Sequence, residues 1–195
     1  MITEGWGKSM STGEWFKLDL NARVITIIGV LIAIVFVTTF FIRVPMIAGY
    51  VHLGDTAIYM AAFLFGPLVG ALAGAFGTGL ADLATGAYAN YAPGSFVIHG
   101  AQGLAAGWIA WRGGTRRMIL AAIVGGAILI GGYFIYDLAI LRIGWGAATG
   151  GLGFNFWQAV SGGVLSIPLV LAIRAAYPPI LTWAHERTWQ EEGPQ

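Results

Sequence analysis

The sequence predicts an all-α integral membrane protein, a bundle of six transmembrane helices with both termini in the cytoplasm. Of its 195 residues, 57% are hydrophobic and only 10% are charged, whereas soluble domains carry about 25% charged residues. The mean hydropathy is +0.76. Thirty glycines are typical of membrane helices that approach one another through small residues. The chain is therefore expected to work in the lipid bilayer.

Composition and motifs also exclude several classes of function. A net charge of +1 gives no electrostatic basis for binding nucleic acid. The chain has no cysteine, so it forms no disulfide and no Cys-ligated metal site. The sequence GWGKS at 5–9 ends like a phosphate-binding loop, but the required earlier glycine is replaced by Ile2. With no HExxH or His-rich cluster either, we predict no enzyme activity, catalytic residue, cofactor or metal site.

Charged and polar turns divide the chain into six apolar spans. The first, 24–42, has 19 residues, and its length of roughly 28 Å matches the hydrocarbon core of a bilayer. It is longer than the apolar region of a signal peptide and has no cleavage site after it, so we expect a retained helix. The stretch between Asp55 and Asp82 is split at Gly66-Pro67, because proline is best tolerated at a helix start. The predicted spans are 24–42, 56–65, 67–83, 95–111, 118–136 and 154–173, with loops at 44–53 and 85–94.

These spans form one predicted membrane domain, 23–176, between an N-terminal segment, 1–22, and a C-terminal tail, 177–195. With six spans, both termini and the turn at 112–117 lie on one side of the membrane. That side carries the following eight basic residues: Lys8, Lys17, Arg23, Arg112, Arg116, Arg117, Arg174 and Arg187. The opposite side carries only Arg43 and Arg142. The positive-inside rule therefore places both termini in the cytoplasm.

Polar and aromatic side chains concentrate in the outer half of the predicted bundle, whereas the cytoplasmic half is nearly all glycine and aliphatic residues. Polar groups inside a membrane are costly and usually face a cavity or a partner. His99 and Gln102 are three residues apart, as are Asn155 and Gln158, so each pair shares a helix face. These side chains suit either an aromatic-walled pocket or interhelical hydrogen bonds with an interfacial aromatic belt. Asp55 equally suits an N-cap of the second span.

The candidate ligand-binding residues on this interpretation are Tyr50, His52, Asp55, Asn90, Tyr91, His99, Gln102, Trp145, Asn155 and Gln158. Small residues at four-residue spacing form a second pattern, which lets helix backbones approach closely. The pattern occurs in the third span from Gly66 to Gly74 and in the fourth span at Gly103 and Gly107, where it favours packing within the bundle. In the first span, Gly29 and Ala33 also suit the docking of a second membrane protein.

Several short motifs occur in order along the chain. They are Leu53-Gly54-Asp55, LFGPLVG at 64–70, LADL at 80–83, Ala92-Pro93 opening a span that ends in Gly103 and Gly107, and Asn155-x-x-Gln158 before SIPL at 166–169. Together, over roughly residues 24–175, they resemble the substrate-binding (S) components of energy-coupling factor (ECF) vitamin transporters. Within that family they are most similar to the riboflavin-transporter-like subgroup.

The resemblance implies a plasma-membrane subunit of six helices whose first outer loop lies over a vitamin pocket. It implies two kinds of partner, a transmembrane coupling (T) subunit and two cytoplasmic ATPase subunits, with Gly29 and Ala33 docking the coupling subunit. The aromatic content suits a flat heteroaromatic ring such as riboflavin, although related pockets take thiamine, biotin, folate, pyridoxine or pantothenate. The alternative is a structural or assembly membrane protein without a ligand, in which the outer polar residues only cap helices.

Overall fold

The computed structural model describes residues 20–46 and 49–183. Six α-helices are present in this part of the chain: α1 (Ala22–Phe40), α2 (Gly54–Phe65), α3 (Pro67–Thr85), α4 (Ala92–Ala110), α5 (Thr115–Ile135) and α6 (Trp145–Ala176). Two short strands, β1 (Arg43–Pro45) and β2 (Tyr50–His52), join α1 to α2. Shorter helical turns cover Ala89–Tyr91, Tyr136–Leu141 and Pro178–Thr182. The motif at 5–9 and the residues Lys8, Lys17 and Arg187 lie outside the described residues.

Four of the described helices are long and apolar enough to cross a membrane. They are α1, α3, α6 and the segment Thr115–Leu141, which consists of α5 and the helical turn after it. The helix α2 is apolar but has only 12 residues, or about 18 Å, which is shorter than the roughly 30 Å hydrocarbon core. The helix α4, which carries His99 and Gln102, is not one of the four. The chain is thus a membrane protein with several spanning helices, and the number six for the spans remains a prediction.

The helices lie where the sequence predicts them, but two connections differ. The segment predicted as a loop at 44–53 contains an antiparallel hairpin, in which Arg43 pairs with His52 and Val44 with Val51. The last helix begins at Trp145 rather than 154 and has 32 residues. Its first turns are rich in glycine, which has a low helix propensity, but burial of Ala148 and other residues against the bundle overrides that preference.

The short helix α2 is the centre of the bundle. Ten of its 12 residues are buried, and it contacts α1, α3, α4 and α6. Its aromatic residues Tyr59 and Phe63 form the main apolar core with Met118 of α5 and Val170 of α6. The outer faces of the surrounding helices carry exposed aliphatic and aromatic side chains, as expected where helices contact lipid. A helix too short to span therefore becomes stable by being enclosed.

Glycine lets α3 and α4 approach each other closely. A Cβ atom at Gly103 would overlap the backbone carbonyl of Gly70, and one at Gly74 would overlap the carbonyl of His99. At Gly107 the added atom would lie 2.5 Å from the Cα of Pro67. These positions confirm that the small-residue spacing of the third and fourth spans packs the bundle internally. The contact at Gly74 also fixes the position of His99 along α3.

A charged side chain joins three elements at the opposite end of the bundle from the hairpin. The Arg174 guanidinium near the end of α6 donates to the carbonyl oxygens of Gly113, before α5, and Phe63, near the end of α2, both at 2.6 Å. Carbonyl groups near the C-terminal end of a helix have no partner within that helix, and Arg174 satisfies that of Phe63. It thereby ties α6 to the end of α2 and to the turn before α5.

We expect Gly103→Ala to destabilise the bundle by about 1–3 kcal/mol, because overpacking a filled contact has roughly this cost and the new methyl group would meet backbone. Gly131→Ala is the matched control, since a Cβ there meets nothing within 4 Å and alanine favours the helix. Melting of the purified variants in detergent measures the difference. Equal melting temperatures for the two variants would contradict the close approach of α3 and α4.

Candidate functional site

A polar cavity lies beneath the β1–β2 hairpin, between the ends of α3, α4, α5 and α6. Its walls are Met46, Gly49, Tyr50, His52, Asp82, Tyr91, Ser95, Tyr133, Asp137 and Asn155. The cavity has a volume of about 20 Å³, which is room for about one water molecule. The hairpin residues Tyr50 and His52 form one side of this narrow space.

Three hydrogen bonds connect the hairpin to α6, to α3 and to the start of α2. The backbone N–H of His52 donates to Oε1 of Gln158 in α6, at 3.0 Å. The hydroxyl of Tyr50 donates to Oδ1 of Asp82 in α3. The N–H of Gly54 donates to Nδ1 of His52, at 3.0 Å, so that nitrogen carries no proton. Burial lowers the pKa of His52 to about 3 and outweighs the opposite influence of Asp55, which agrees with a neutral ring.

A buried network lies behind the cavity wall. Nδ1 of His99 is 3.3 Å from Oδ1 of Asp55, and both side chains are completely buried. The same nitrogen is 2.7 Å from Oε1 of Gln102. On the other side of the ring, Nε2 of His99 is 3.1 Å from the hydroxyl of Tyr133, which is 2.6 Å from Oγ of Ser95. Because Tyr133 and Ser95 line the cavity, the network connects the buried Asp55–His99 pair to the cavity wall.

The ten candidate residues from the sequence fall into distinct groups. Those that line the cavity are Tyr50, His52, Tyr91 and Asn155. Asp55, His99 and Gln102 belong to the network behind it, and Gln158 holds the hairpin. The two pairs with three-residue spacing therefore divide differently: His99 and Gln102 bond to each other, whereas Asn155 faces the cavity and Gln158 faces the hairpin.

Two candidate residues lie apart from this group. Trp145 is 69% exposed and packs its ring edge to face against Phe134, with 5.6 Å between centroids. The side chain of Asn90 is exposed, and only its backbone oxygen takes part nearby, by accepting a hydrogen bond from Tyr136 at 2.8 Å. The capping interpretation of Asp55 is wrong, because the N-cap of α2 is Leu53 and no side chain caps that helix end.

The structure adds wall residues that were absent from the sequence-based set. They are Met46, Gly49, Asp82, Ser95, Tyr133 and Asp137. Asp82 and Asp137 stand at helix ends, where a carboxylate is equally expected on the surface. Tyr133 is surrounded in the sequence by apolar residues. A tyrosine hydroxyl inside an apolar span needs a hydrogen-bond partner, and that requirement is the signal that could have identified it.

We expect His99→Leu to lower the stability of the ligand-free protein by about 3–5 kcal/mol, because it leaves the buried Asp55 carboxylate without its partner. The double variant Asp55→Asn, His99→Leu should recover part of that loss, since no charge then remains unpaired. Thermal melting of both single variants and the double variant gives the coupling between the two side chains. A double variant as unstable as the sum of the two single ones would show that they do not act as a pair.

Comparison with known proteins agrees with the motifs and with this architecture. The family of ECF-type riboflavin transporter S components matches residues 19–175. An uncharacterized protein of Pyrococcus woesei is 36% identical over 149 residues, which are 74% of this chain and 97% of that protein. The thiamine precursor transporter HmpT of Lactococcus lactis subsp. cremoris is 37% identical over 149 residues, which are 75% of this chain and 84% of that protein. The predicted resemblance is confirmed, and the chain belongs to the family of ECF-type riboflavin transporter S components.

Proposed function

We propose that this protein captures a vitamin or vitamin precursor outside the cell and presents it to partner subunits for ATP-driven uptake. As an S component it is a transport subunit and not an enzyme. The single observation that supports capture most directly is the group of polar side chains around the cavity under the hairpin, because polar groups inside a membrane bundle are costly and usually face a cavity or a partner.

The proposed topology has six spans in the plasma membrane, both termini in the cytoplasm, and the cavity facing outward. The eight-to-two distribution of Lys and Arg supports it. In the structure, Arg174 bonds to Gly113 at the end of the bundle away from the hairpin. Arg43, one of the two basic residues assigned to the outside, belongs to the hairpin. Residues 23–176 are then the membrane domain, flanked by an interfacial N-terminal segment and a cytoplasmic tail.

The proposed binding residues take different roles. The rings of Tyr50, Tyr91 and Tyr133 form aromatic walls against which a flat ring stacks. Asn155 supplies amide donors and acceptors directly to the cavity. Gln158 acts indirectly, because its oxygen holds the hairpin closed. A ligand enters when the bonds of the hairpin to α6 and α3 break, and the same bonds re-form above it.

The proposed partners are a T subunit and two ATPase subunits, and no nucleic acid or cofactor is expected. The first helix offers the docking face. Gly29 and Ala33 are exposed on α1, and a Cβ at Gly29 would meet nothing within 4 Å. They share that outer side with exposed aliphatic residues, including Ile25 and Ile34. Since small residues let two helix backbones touch, this face suits a helix of another subunit.

Two substrates are the leading candidates. The description of the family names riboflavin as the transported compound, whereas the relative HmpT is described as a thiamine precursor transporter. Both compounds contain flat nitrogen heterocycles, so the aromatic walls alone do not separate them. The competing function, a structural or assembly membrane protein, requires no ligand at all and is separated from both by direct binding.

We expect riboflavin, thiamine, or one of the two halves of thiamine (its aminopyrimidine alcohol and its thiazole alcohol) to raise the melting temperature of the purified protein. Asn155→Ala should weaken that ligand roughly tenfold or more, because an unpaired polar group costs about 1–3 kcal/mol, while leaving the ligand-free melting temperature unchanged. Gln158→Ala should instead lower the ligand-free melting temperature, since it frees the hairpin. No binding by any of the four compounds, or full affinity in Asn155→Ala, would contradict the proposed site.

We expect Gly29→Leu and Ala33→Leu to reduce uptake by cells at least tenfold while leaving binding to the purified protein intact, because bulky side chains keep a partner helix away. Ala101→Leu is the matched control, an exposed position on α4 outside the proposed docking face, and uptake should be normal. Loss of ligand binding in Ala33→Leu would assign the first helix to the cavity. Normal uptake in both variants would remove it from the partner interface.

A further inference from the structure

An apolar groove runs along the outer surface of the bundle between α5 and α6. Its volume is about 420 Å³, far larger than the space under the hairpin. Its walls extend from Ile119 to Ile130 on α5 and from Phe156 to Ile167 on α6, and every residue that lines it is apolar. In a protein that lies in a bilayer, such a groove faces the lipid.

The groove exists because α5 and α6 meet through small residues. An added Cβ at Gly126 would lie 3.1 Å from the Cβ of Ala159, and one at Gly163 would lie 3.0 Å from the Cβ of Ala122. All four residues line the groove. None of them has a side chain beyond Cβ, so the space above their contact stays open, and the larger residues on either side become its rims.

The dimensions of the groove suit a hydrocarbon chain better than a helix of another protein. From Ile119 to Ile130, α5 rises by about 16 Å. This is about half of the roughly 30 Å hydrocarbon core, and therefore about the depth of one lipid leaflet. The rims carry large exposed side chains, since Ile123, Val164 and Phe156 are 65%, 64% and 52% exposed. Rims of this size keep the backbone of a second helix at a distance, whereas a flexible chain fits between them.

A basic side chain extends the α5 wall of the groove at the end away from the hairpin. Arg116 lies three residues before Ile119 and seven before Ile123, so it shares their face of the helix. It is exposed and forms neither a hydrogen bond nor an ion pair with any residue that the structure describes. Arg117 is turned by about 100° from it and packs beside Gly113, where an added Cβ would lie 2.8 Å from its Cδ. Of the two arginines, only Arg116 is on the face of the groove.

None of the described acidic residues lies at this end of the bundle. All three are near the hairpin: Asp55, Asp82 and Asp137. The opposite end carries five arginines: Arg23, Arg112, Arg116, Arg117 and Arg174. The guanidinium of arginine matches the geometry of phosphate, and basic pockets between membrane helices on the cytoplasmic side bind anionic lipid headgroups. The charge at this end therefore favours an occupant with a negative headgroup.

We propose that the groove binds one anionic phospholipid, with an acyl chain between α5 and α6 and the headgroup phosphate on the guanidinium of Arg116. On the proposed topology this lipid belongs to the cytoplasmic leaflet, whose surface is negatively charged. The inference goes beyond the capture of a vitamin. The groove shares no lining residue with the cavity under the hairpin, so lipid binding does not depend on the identity of the substrate.

A matched pair of lipids tests this inference on the purified full-length protein in a neutral detergent. Dioleoylphosphatidylglycerol is anionic, and dioleoylphosphatidylcholine has the same acyl chains but no net charge. We expect the anionic lipid to bind roughly tenfold more tightly in a titration followed by native mass spectrometry, because a hydrogen bond to a charged group contributes about this much. Arg116→Gln should remove most of that preference. Arg117→Gln removes the same charge from another face of α5 and should retain it.

A second pair of variants tests the position of the acyl chain. Ala127 lines the groove and is exposed, so Ala127→Phe fills the groove without entering the contact between α5 and α6. It should weaken the binding of both lipids roughly tenfold, since the apolar surface that the chain would cover is then occupied. Ala101→Phe places the same side chain at an exposed position of α4 and should leave the binding of both lipids unchanged.

Three results would overturn the inference. The first is equal affinity of the wild-type protein for the two lipids, a measurement that needs no variant to fold. The second is an equal loss of preference in Arg116→Gln and Arg117→Gln, which would show a general attraction of lipid to the basic end of the bundle. The third is unchanged lipid binding in Ala127→Phe together with loss of a dimer or of assembly with another subunit, which would make the groove a protein interface.

Discussion

Polar groups enclosed in a membrane bundle have no water to bond with, so each of them must find a partner within the protein or in a ligand. This constraint organises the half of the molecule next to the hairpin. The contact between Asp55 and His99 connects α2 to α4, Tyr133 extends that contact to α5, and Gln158 connects α6 to the hairpin. Polar pairing thus supplies the contacts between helices near the cavity.

The rest of the bundle is held together differently. The contact of α3 with α4 uses glycine positions at which a single added carbon atom would meet backbone. Apolar packing against lipid offers little net driving force for helix association, so close backbone contact replaces it. The short helix α2 depends on this arrangement, because its neighbours must enclose it for an apolar segment of 12 residues to be stable. The glycine contacts therefore support the polar network by fixing the helices that carry it.

Much of the fold could be predicted from the positions of charges and proline. The division at Gly66-Pro67 is correct to the residue, because α2 ends at Phe65 and α3 begins at Pro67. The start of α6 could not be predicted, since its glycines disfavour a helix locally and only burial against the bundle compensates. The hairpin could not be predicted either, because each of its strands has only three residues. That length is too short to show an alternating pattern of apolar and polar residues.

The candidate site was only partly predictable. Helical spacing correctly places Asn155 and Gln158 on one side of α6, but it cannot show that one faces the cavity and the other the hairpin. That distinction depends on the hairpin, which the sequence does not reveal. Likewise, Trp145 resembles a wall residue in the sequence because it is aromatic and near the outer end. In the structure it is the first residue of α6, and its side chain is exposed.

The contacts of the hairpin have a kinetic consequence for the proposed capture. The space beneath it has room for only about one water molecule, so a vitamin-sized ligand requires the hairpin to move. Entry and release then pass through the same rearrangement. Strengthening the bonds of the hairpin to α3 and α6 would therefore slow capture and lengthen the residence time of a bound ligand together.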